Sequence, residues 1–370
     1  MKSRPPFRVS KDSEAVIDEV FDKNRACGRI EDLKRPSPMG LQVFVVKDAK
    51  GEKRPVVDSR PLNDAVAGDA YPLPRQDKVV KSLIDQVWLG FVDMASSFYQ
   101  RILHRDDHHR AAVVTHRGQE QFAVSLMGYK CSVQHLQKLM DRLFKGLSWR
   151  IVACYVDDII FWGADFATFL ANTDEVFSIL SDAGITLKAS KAFLGLHSLD
   201  ILGYLVDRLG LTTTEAKADA VSNVPFPKNV TELEHFIGLA NWNRHLIPYF
   251  AQRVGPLQEA KTRLLKGGPI KGRERKVYAN QTPIPKEEVI ISAFEDVRNC
   301  LAARPHLYHF RTDRPVYAFL DSSKDYGTGL AVYQSANISE AVPNAPLPKK
   351  TDLRPIHFMS RKLTDAETRY

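Results

Sequence analysis

I-V-A-C-Y-V-D-D-I-I-F-W, residues Ile151–Trp162, sets two adjacent carboxylates, Asp157 and Asp158, between two apolar, strand-forming runs. β-Branched and aromatic residues on both sides of a short polar break predict a β-hairpin with the acids at its tip. Bare carboxylates beside that much apolar surface are costly unless a cation balances them. A divalent metal is the natural candidate, because magnesium binds through few protein carboxylates together with substrate phosphates. The competing reading is an ordinary turn with two solvated acids. A third carboxylate decides between them.

Upstream, Phe91-Val92-Asp93 reads as a short strand ending in an acid, with helical sequence between it and the hairpin. That strand–helix–hairpin order lets the acids meet on one sheet, where two ions roughly 3.5–4 Å apart are clamped in the usual two-metal arrangement. One ion there activates an attacking hydroxyl and the other steadies a leaving pyrophosphate. The protein contributes positioning and charge.

The intervening helix is amphipathic, with Val133, Leu136, Met140, Leu143, Phe144 and Leu147 on one face. A second helix is predicted from Phe166 to Ala183, ended by Gly184. Nearer the N-terminus, an extended basic lead-in over residues 1–12 precedes a helix face of Ala15, Val16, Ile17, Val20 and Phe21. Leu41–Val46 and Pro55–Val57 read as strands joined by a charged turn. Lys47, Lys50, Lys53 and Arg54 on that hairpin read either as solvated cations or as anion contacts. Tyr71–Pro74, Y-P-L-P, is a rigid connector into a helix-like run from Gln76 to Val87, and Ile201–Val206 reads as one further strand.

From about Asp207 the pattern changes to helices with short loops. Thr231 and Glu234 form a capping box ahead of Phe236, Ile237 and Leu239. Gly267–Lys286, rich in Gly, Pro, Lys and Arg, reads as a linker. Val316–Leu320 and Leu330–Tyr333 are strand-like, with Gly327 and Gly329 in a tight turn between them, and Ser335–Lys350 reads as a polar loop. There is no internal repeat at a solenoid period.

Composition bounds the function. At 370 residues the chain suits two or three domains, and 44% hydrophobic with 26% charged residues is core-forming rather than disordered. A formal charge of +8 suits a polyanionic partner. Cys27, Cys131, Cys154 and Cys300 are widely spaced, which argues against a disulfide framework or a cysteine zinc site and fits a reducing compartment. No apolar signal region and no run of about 18 apolar residues is present, so an intracellular protein without a membrane partner is expected. His104, Asp106, Asp107, His108 and His109 lack zinc-helix spacing and read as a polar turn, while His235 and His245 read as helix-surface residues.

With these residues in place the sequence resembles the reverse transcriptases of gypsy-type LTR retrotransposons and their retroviral relatives. Y-V-D-D (Tyr155–Asp158) with Phe91-Val92-Asp93 carries the resemblance first. R-P-V-V-D-S-R-P-L-N (Arg54–Asn63), Y-P-L-P (Tyr71–Pro74), L-M-G-Y-K-C-S-V-Q-H-L-Q-K-L-M (Leu126–Met140) and I-L-G-Y (Ile201–Tyr204) match in the family's order. F-I-G-L-A-N-W-N-R-H-L-I-P (Phe236–Pro248), F-L-D-S-S-K-D-Y-G (Phe319–Gly327) and P-I-H-F-M-S-R-K-L-T-D-A-E-T-R-Y (Pro355–Tyr370) follow.

The resemblance implies an α+β, right-hand polymerase of fingers, palm and thumb, followed by a truncated RNase H-like α/β domain. Its boundaries would be fingers and palm over 1–206, a thumb-like helical region over 207–265, a linker or connection over 266–310 and the RNase H-like part over 311–370. It implies an RNA- and DNA-directed DNA polymerase using Mg²⁺, with Mn²⁺ as the alternative ion, on dNTPs, an RNA template and a DNA primer or duplex. Asp93, Asp157 and Asp158 match the catalytic, metal-binding triad. Lys47 and Arg54 match cations that hold the incoming triphosphate, and Phe98 matches the bulky residue that excludes a ribose 2′-OH. Met127 falls among the nucleotide-side positions. Lys191 matches a palm lysine that protonates pyrophosphate, with solvated surface as the competing reading. Leu202, Gly203 and Tyr204 match the hairpin that grips the primer end, where Gly203 permits close backbone approach. Thumb cations would contact phosphate without reading sequence.

Asp321 matches the first metal-binding acid of the RNase H-like remnant. Asp325 and Glu367 match none of the others, so no RNase H activity is expected. Protease, integrase and the rest of RNase H are the expected companions in a longer polyprotein. The alternative is a degenerate or domesticated fragment that binds nucleic acid without catalysis. Departures from the family pattern are Leu126-Met127-Gly128 for Pro-Phe-Gly, Cys131-Ser132-Val133 for Asn-Ala-Pro, and Ser97 for a usual glycine. They put nucleotide handling in doubt while keeping Gly128.

Overall fold

The computed structural model describes residues 5–35, 37–47, 51–323, 327–336, 348–364 and 367. Lys50, Asp325, most of the Ser335–Lys350 loop, and Asp365, Ala366 and Thr368–Tyr370 of the closing motif lie outside the described residues. The chain divides into two units, Met1–Ser82 with Gln86–Leu196, and Leu83–Asp85 with His197–Tyr370.

The first unit begins with α1 (Lys11–Ala26), which the Ser10 side chain caps by accepting from the Ser13 amide. Ile17 and Phe21, one helical turn apart, are its buried apolar residues; Ala15, expected on the same face, is exposed. Then follow β1 (Ile30–Asp32), β2 (Leu41–Lys47), β3 (Lys53–Val57), α2 (Arg60–Ala65), α3 (Gln76–Lys81) and β4 (Trp88–Asp93). The helix expected to run to Val87 stops at Lys81, and Asp85 takes a left-handed φ of 62° that no α-helix accommodates. β5 (Ala112–Thr115), β6 (Gly118–Phe122), α4 (Ser132–Leu143), β7 (Val152–Tyr155), β8 (Asp158–Gly163), α5 (Phe166–Asp182) and β9 (Phe193–Leu196) complete the unit.

One five-stranded sheet runs β1-β6-β5-β2-β3, and α1 packs Ile17 and Phe21 into its core with Leu41, Val113 and Phe122. The other sheet, four-stranded, runs β7-β8-β4-β9. Leu136 and Met140 of α4 and Phe169, Val176 and Leu180 of α5 share a core with Val92, Val152, Ile159 and Phe161 of this sheet. Gly90 is obligatory there: it pairs in register with Phe161, and an added Cβ would come within 2.2 Å of that ring.

In the second unit, β10 (Ser198–Ile201), β11 (Tyr204–Asp207) and β12 (Gly210–Thr213) precede the helices α6 (Glu215–Ser222), α7 (Val230–Trp242), α8 (Phe250–Leu265), α9 (Gly272–Gln281) and α10 (Glu288–Ala302). β13 (Leu307–Tyr308) completes the antiparallel sheet β10-β11-β12-β13. The helices share one core built on Leu233, Phe236, Leu257, Phe294 and Val297. β14 (Val316–Ser323), β15 (Gly327–Ser335) and β16 (Leu353–Arg361) form a three-stranded antiparallel sheet.

Three expectations change here. The single strand Ile201–Val206 is two strands, since Leu202 and Gly203 both take positive φ and reverse the chain between the Ile201–Tyr204 pair. Gly267–Lys286 is not an open linker: it holds α9, whose Ala279 is buried in the helical core. The capping box sits two residues earlier than Thr231–Glu234. Asn229 accepts the Glu232 amide at 3.0 Å, and Glu232 returns a carboxylate oxygen to the Lys228 amide at 2.8 Å. Glu234 instead pairs with Arg275. His245 also departs from the helix-surface reading, because it packs edge-on against the Tyr204 ring and burial holds its pKa down at about 4.

Candidate active site

The site is assembled by strand register. Asp93, last residue of β4, pairs directly with Asp158, first residue of β8, so both side chains leave the same face of the sheet. Tyr155 pairs with Asp158 across the β7–β8 hairpin, which leaves Val156 and Asp157 as its two-residue turn. The acids are therefore at the hairpin tip, as the sequence predicts. Val156 takes φ +59° while Asp157 does not enter positive φ, the sign pattern of a II′ turn. A β-branched residue in that region is strained, so something must hold it.

Gln137 of α4, fully buried, holds it. Its Oε1 accepts the Val156 amide at 2.9 Å, and its Nε2 donates to the Cys154 carbonyl at 3.1 Å and to Asp141 at 2.9 Å. Asp141 in turn accepts the Tyr71 hydroxyl at 2.5 Å. On the other side of the turn, the Met94 amide donates to the Asp157 carbonyl at 3.2 Å, tying the tip to the end of β4.

Like charges set the electrostatics. Burial raises the pKa of Asp158 to about 6, with Asp157 and then Asp93 adding to the rise and Lys191 opposing it. Burial also raises Asp157, helped by Asp93 and opposed by a backbone hydrogen bond and by Lys191. Asp93 is only 7% exposed, and its Oδ1 accepts the Lys191 ammonium at 2.8 Å. That bond is the largest cause of a raised Lys191 pKa. Lys191 is thus tied to the site through Asp93 while its side chain stays half exposed. Among the described residues no set of three or more His, Cys, Asp or Glu side chains is already gathered as a metal cage. The expected triad stands instead as mutually repelling acids with one of them held by an ammonium. Hard carboxylate oxygens are nonetheless the donor chemistry that a magnesium- or manganese-like ion takes.

The other expected residues are distributed around this centre. Phe98 lies in a 3₁₀ turn, Ser97–Gln100, and packs partly buried against the core that contains Val92, Met94 and Leu136. Lys47 pairs in register with Lys53, and Arg54 with Val46, so the two expected triphosphate cations leave opposite faces of the β2–β3 hairpin. Met127 is half exposed, before Gly128 at φ +86°. Asn63 brackets that loop: its Nδ2 donates to the Gly128 carbonyl and its Oδ1 accepts the Lys130 amide, both at 2.9 Å. The histidine-rich segment forms a 3₁₀ helix, Arg105–Ala111, in which His108 is buried against Glu31 at 2.7 Å.

Two expected features belong to the second unit. Leu202 and Gly203 form the β10–β11 turn ahead of Tyr204, the first residue of β11, and the Lys217 ammonium donates to the Gly203 carbonyl at 2.7 Å. Asp321 is exposed on β14 opposite Gly329.

Sequence reasoning missed Gln137, Asp141 and Tyr71 as a connected set. The available signal was Gln137 itself, a polar residue four after Val133 and three before Met140 on the apolar face of α4.

Residues 45–206 match the family described as reverse transcriptase (RNA-dependent DNA polymerase). The chain is 26% identical over 377 residues to a retrovirus-related Pol polyprotein from transposon opus of Drosophila melanogaster, covering 100% of this chain and 35% of the relative. A Pol polyprotein from transposon gypsy of the same organism is 25% identical over 341 residues, covering 90% of this chain and 31% of the relative. The chain thus spans about a third of the length of these relatives. In structure it is similar to a foamy viral protease-reverse transcriptase in complex with double-stranded DNA, with a TM-score of 0.80 at 20% identity over 99% of this chain and 59% of that one. The fold is accordingly that of a reverse transcriptase polymerase, and residues 45–206 match the reverse transcriptase family within a chain similar throughout to retrovirus-related Pol polyproteins of transposons.

Proposed function

We propose that the chain is an RNA- and DNA-directed DNA polymerase that transfers a nucleotide from a dNTP to a primer 3′-hydroxyl. The observation that carries this reading is the register pairing of Asp93 with Asp158 and the placement of Asp157 beside them in the hairpin turn. Asp93, Asp157 and Asp158 would hold the divalent cations, Mg²⁺ or Mn²⁺. Bound there, such ions supply hydroxyl activation and neutralisation of triphosphate charge. The chain's own contribution is positioning: β4 and β8 fix two carboxylates on one face, and Gln137 fixes the turn that bears the third. Lys191, held by Asp93, brings a proton donor to the acids. That supports a role in protonating pyrophosphate as it leaves. Phe98, packed against the core that contains Met94, is the proposed gate against a ribose 2′-OH. Lys47 and Arg54 would engage the triphosphate, and Met127 would line the nucleotide side. Leu202, Gly203 and Tyr204 would grip the primer end. The units would act as fingers and palm, then thumb and RNase H-like remnant with Asp321. RNA template, DNA duplex and the remaining polyprotein products are the proposed partners. Free cysteines at Cys27, Cys131, Cys154 and Cys300 support an intracellular, reducing compartment. No helix among the described residues is long and apolar enough to cross a membrane.

Primer extension on an RNA template with dNTPs and Mg²⁺ or Mn²⁺ tests the proposal, beside an Asp157→Asn control. Extension that the control loses, with duplex affinity retained by both proteins, is the expected result. Duplex binding without extension by the unaltered chain would replace this reading with that of a nucleic-acid-binding fragment.

A further inference from the structure

Gln137 can hold the strained turn only if its amide points one way, with oxygen toward the Val156 amide and nitrogen toward the Cys154 carbonyl. The Gln side chain alone does not determine this, since a flipped amide has the same shape. The Val156 donor and the Cys154 acceptor favour that orientation, and Asp141, one helical turn further along α4, reinforces it, because its Oδ1 accepts the second Nε2 hydrogen at 2.9 Å. A flipped Gln137 would present oxygen to carboxylate. Asp141 is itself oriented, because its other oxygen accepts the Tyr71 hydroxyl at 2.5 Å. Tyr71 opens the Y-P-L-P connector, and the backbone there is set by an Asx bond from the Tyr71 amide to Asp69 at 2.9 Å.

We propose that Asp141 and Tyr71 are positioning residues for the candidate active site: they lock the Gln137 amide, and through it the Val156–Asp157 turn that carries a catalytic carboxylate. The inference rests on the polymerase reading of that turn. Every polar atom of the Gln137 side chain is used, and both Asp141 oxygens are used, so the chain of bonds from connector to turn has no slack. The bond to Asp141 also raises the Tyr71 pKa above the ordinary phenol value, so the hydroxyl remains a donor throughout the neutral range. A polar network with all its members satisfied rigidifies what it touches, and one broken link leaves several groups mispaired.

The experiment compares Asp141→Leu, Asp141→Asn and Tyr71→Phe with the unaltered chain in three measurements. The first is single-nucleotide extension, read as kcat and as KM for dNTP. The second is amide hydrogen exchange at Val156, and the third is Mn²⁺ affinity by paramagnetic resonance. Asp141→Leu is expected to lower kcat on the order of a hundredfold with KM changed less than about twofold, as displacement of a reacting group does. Val156 exchange should quicken roughly tenfold and Mn²⁺ affinity should fall. Asp141→Asn, which keeps an oxygen for Gln137, should restore most of each. Tyr71→Phe removes one hydroxyl from a half-buried ring and should show the same pattern, smaller, even if Asp141→Leu fails to fold. In Tyr71→Phe, an unchanged kcat together with unchanged Val156 exchange overturns the proposal. So does an Asp141→Asn variant as impaired as Asp141→Leu. If the unaltered chain extends no primer, the polymerase reading fails, while Val156 exchange and Mn²⁺ affinity still decide whether the two residues set the turn.

Discussion

Two hairpins of this chain solve one backbone problem by different means. Each closes on a two-residue turn whose first residue is a bulky aliphatic at positive φ, Val156 at +59° and Leu202 at +52°. At the first, the second turn residue is Asp157, one of the carboxylates of the proposed active site, which offers no conformational relief. The strain is held by a buried amide that accepts from the Val156 amide and donates to the Cys154 carbonyl. At the second, the following residue is Gly203 at φ +85°, so the turn has positive φ at both positions, the pattern of a type I′ turn. There, among the described residues, the Lys217 ammonium supports the turn from outside through its bond to the Gly203 carbonyl. A turn that must present a carboxylate gives up glycine and needs a buried clamp. A turn that presents only backbone keeps the glycine and needs little else.

The comparison breaks most sharply at the clamps. Gln137→Leu removes the partners of the Val156 amide and the Cys154 carbonyl at once, in a fully buried place. Unfolding in denaturant should show the first unit destabilised by about 2–4 kcal/mol. Lys217→Met, at a part-buried site, should cost the second unit less than about 1 kcal/mol. Equal losses would mean that the two turns are supported alike.

Next in size is the electrostatic cost of the first turn. The folded-state pKa of Asp158, about 6, lies above its ordinary value of 3.8. The folded protein therefore binds this proton more tightly than the unfolded chain does. Stability from this group is fully present below about pH 4 and is lost as pH rises through about 6. Asp158→Asn, neutral at every pH, should stabilise the metal-free protein by roughly 1–2 kcal/mol at pH 7.5 and by nothing near pH 4. Melting curves at the two pH values check this. A gain that does not depend on pH would point to packing rather than charge. Lys191→Met works in the opposite sense: it strands the buried Asp93 carboxylate, so the metal-free protein should lose about 1–3 kcal/mol. Added Mg²⁺ should then raise the melting temperature more in the variant than in the unaltered chain.

The contrast between these turns also marks what could be read in advance. The Asp157–Asp158 hairpin was legible because strand formers flank it and carboxylates cannot sit there cheaply. The strand ending in Asp93 was legible for the same reason. Lys191 was ambiguous because nothing local distinguishes a solvated lysine from one drawn to a buried acid across the sheet; only the tertiary pairing with Asp93 does so. The Leu202–Gly203 turn was hidden from the residue pattern by its apolar neighbours, which made Ile201–Val206 look like one continuous strand, and only the resemblance marked a hairpin there. α9 was hidden by its composition: Gly, Lys and Arg signal a linker, yet Tyr278 covers Gly268 and Ala279 enters the core. Gln137 was hidden inside a run read for its hydrophobic period, where a single amide counts against the pattern instead of for a site.

The smallest expected effects separate strain from support. Val156→Gly removes the β-branched penalty at φ +59° and should stabilise the hairpin by less than about 1 kcal/mol, because glycine's entropy cost offsets part of the relief. Gly203→Ala does the reverse. Its φ of +85° is unfavourable for alanine, and the new Cβ would lie 2.3 Å from the Lys217 Nζ. That contact is with the end of a flexible side chain, which can swing away at the expense of its bond to the Gly203 carbonyl. The loss should therefore be about 1–2 kcal/mol, the backbone penalty plus a weakened hydrogen bond. In a Lys217→Met background the second part is already gone, so Gly203→Ala should cost less there than in the unaltered chain, by up to about 1 kcal/mol. If instead the two losses simply add, the two sites are uncoupled, and the alanine Cβ does not displace the ammonium from the Gly203 carbonyl.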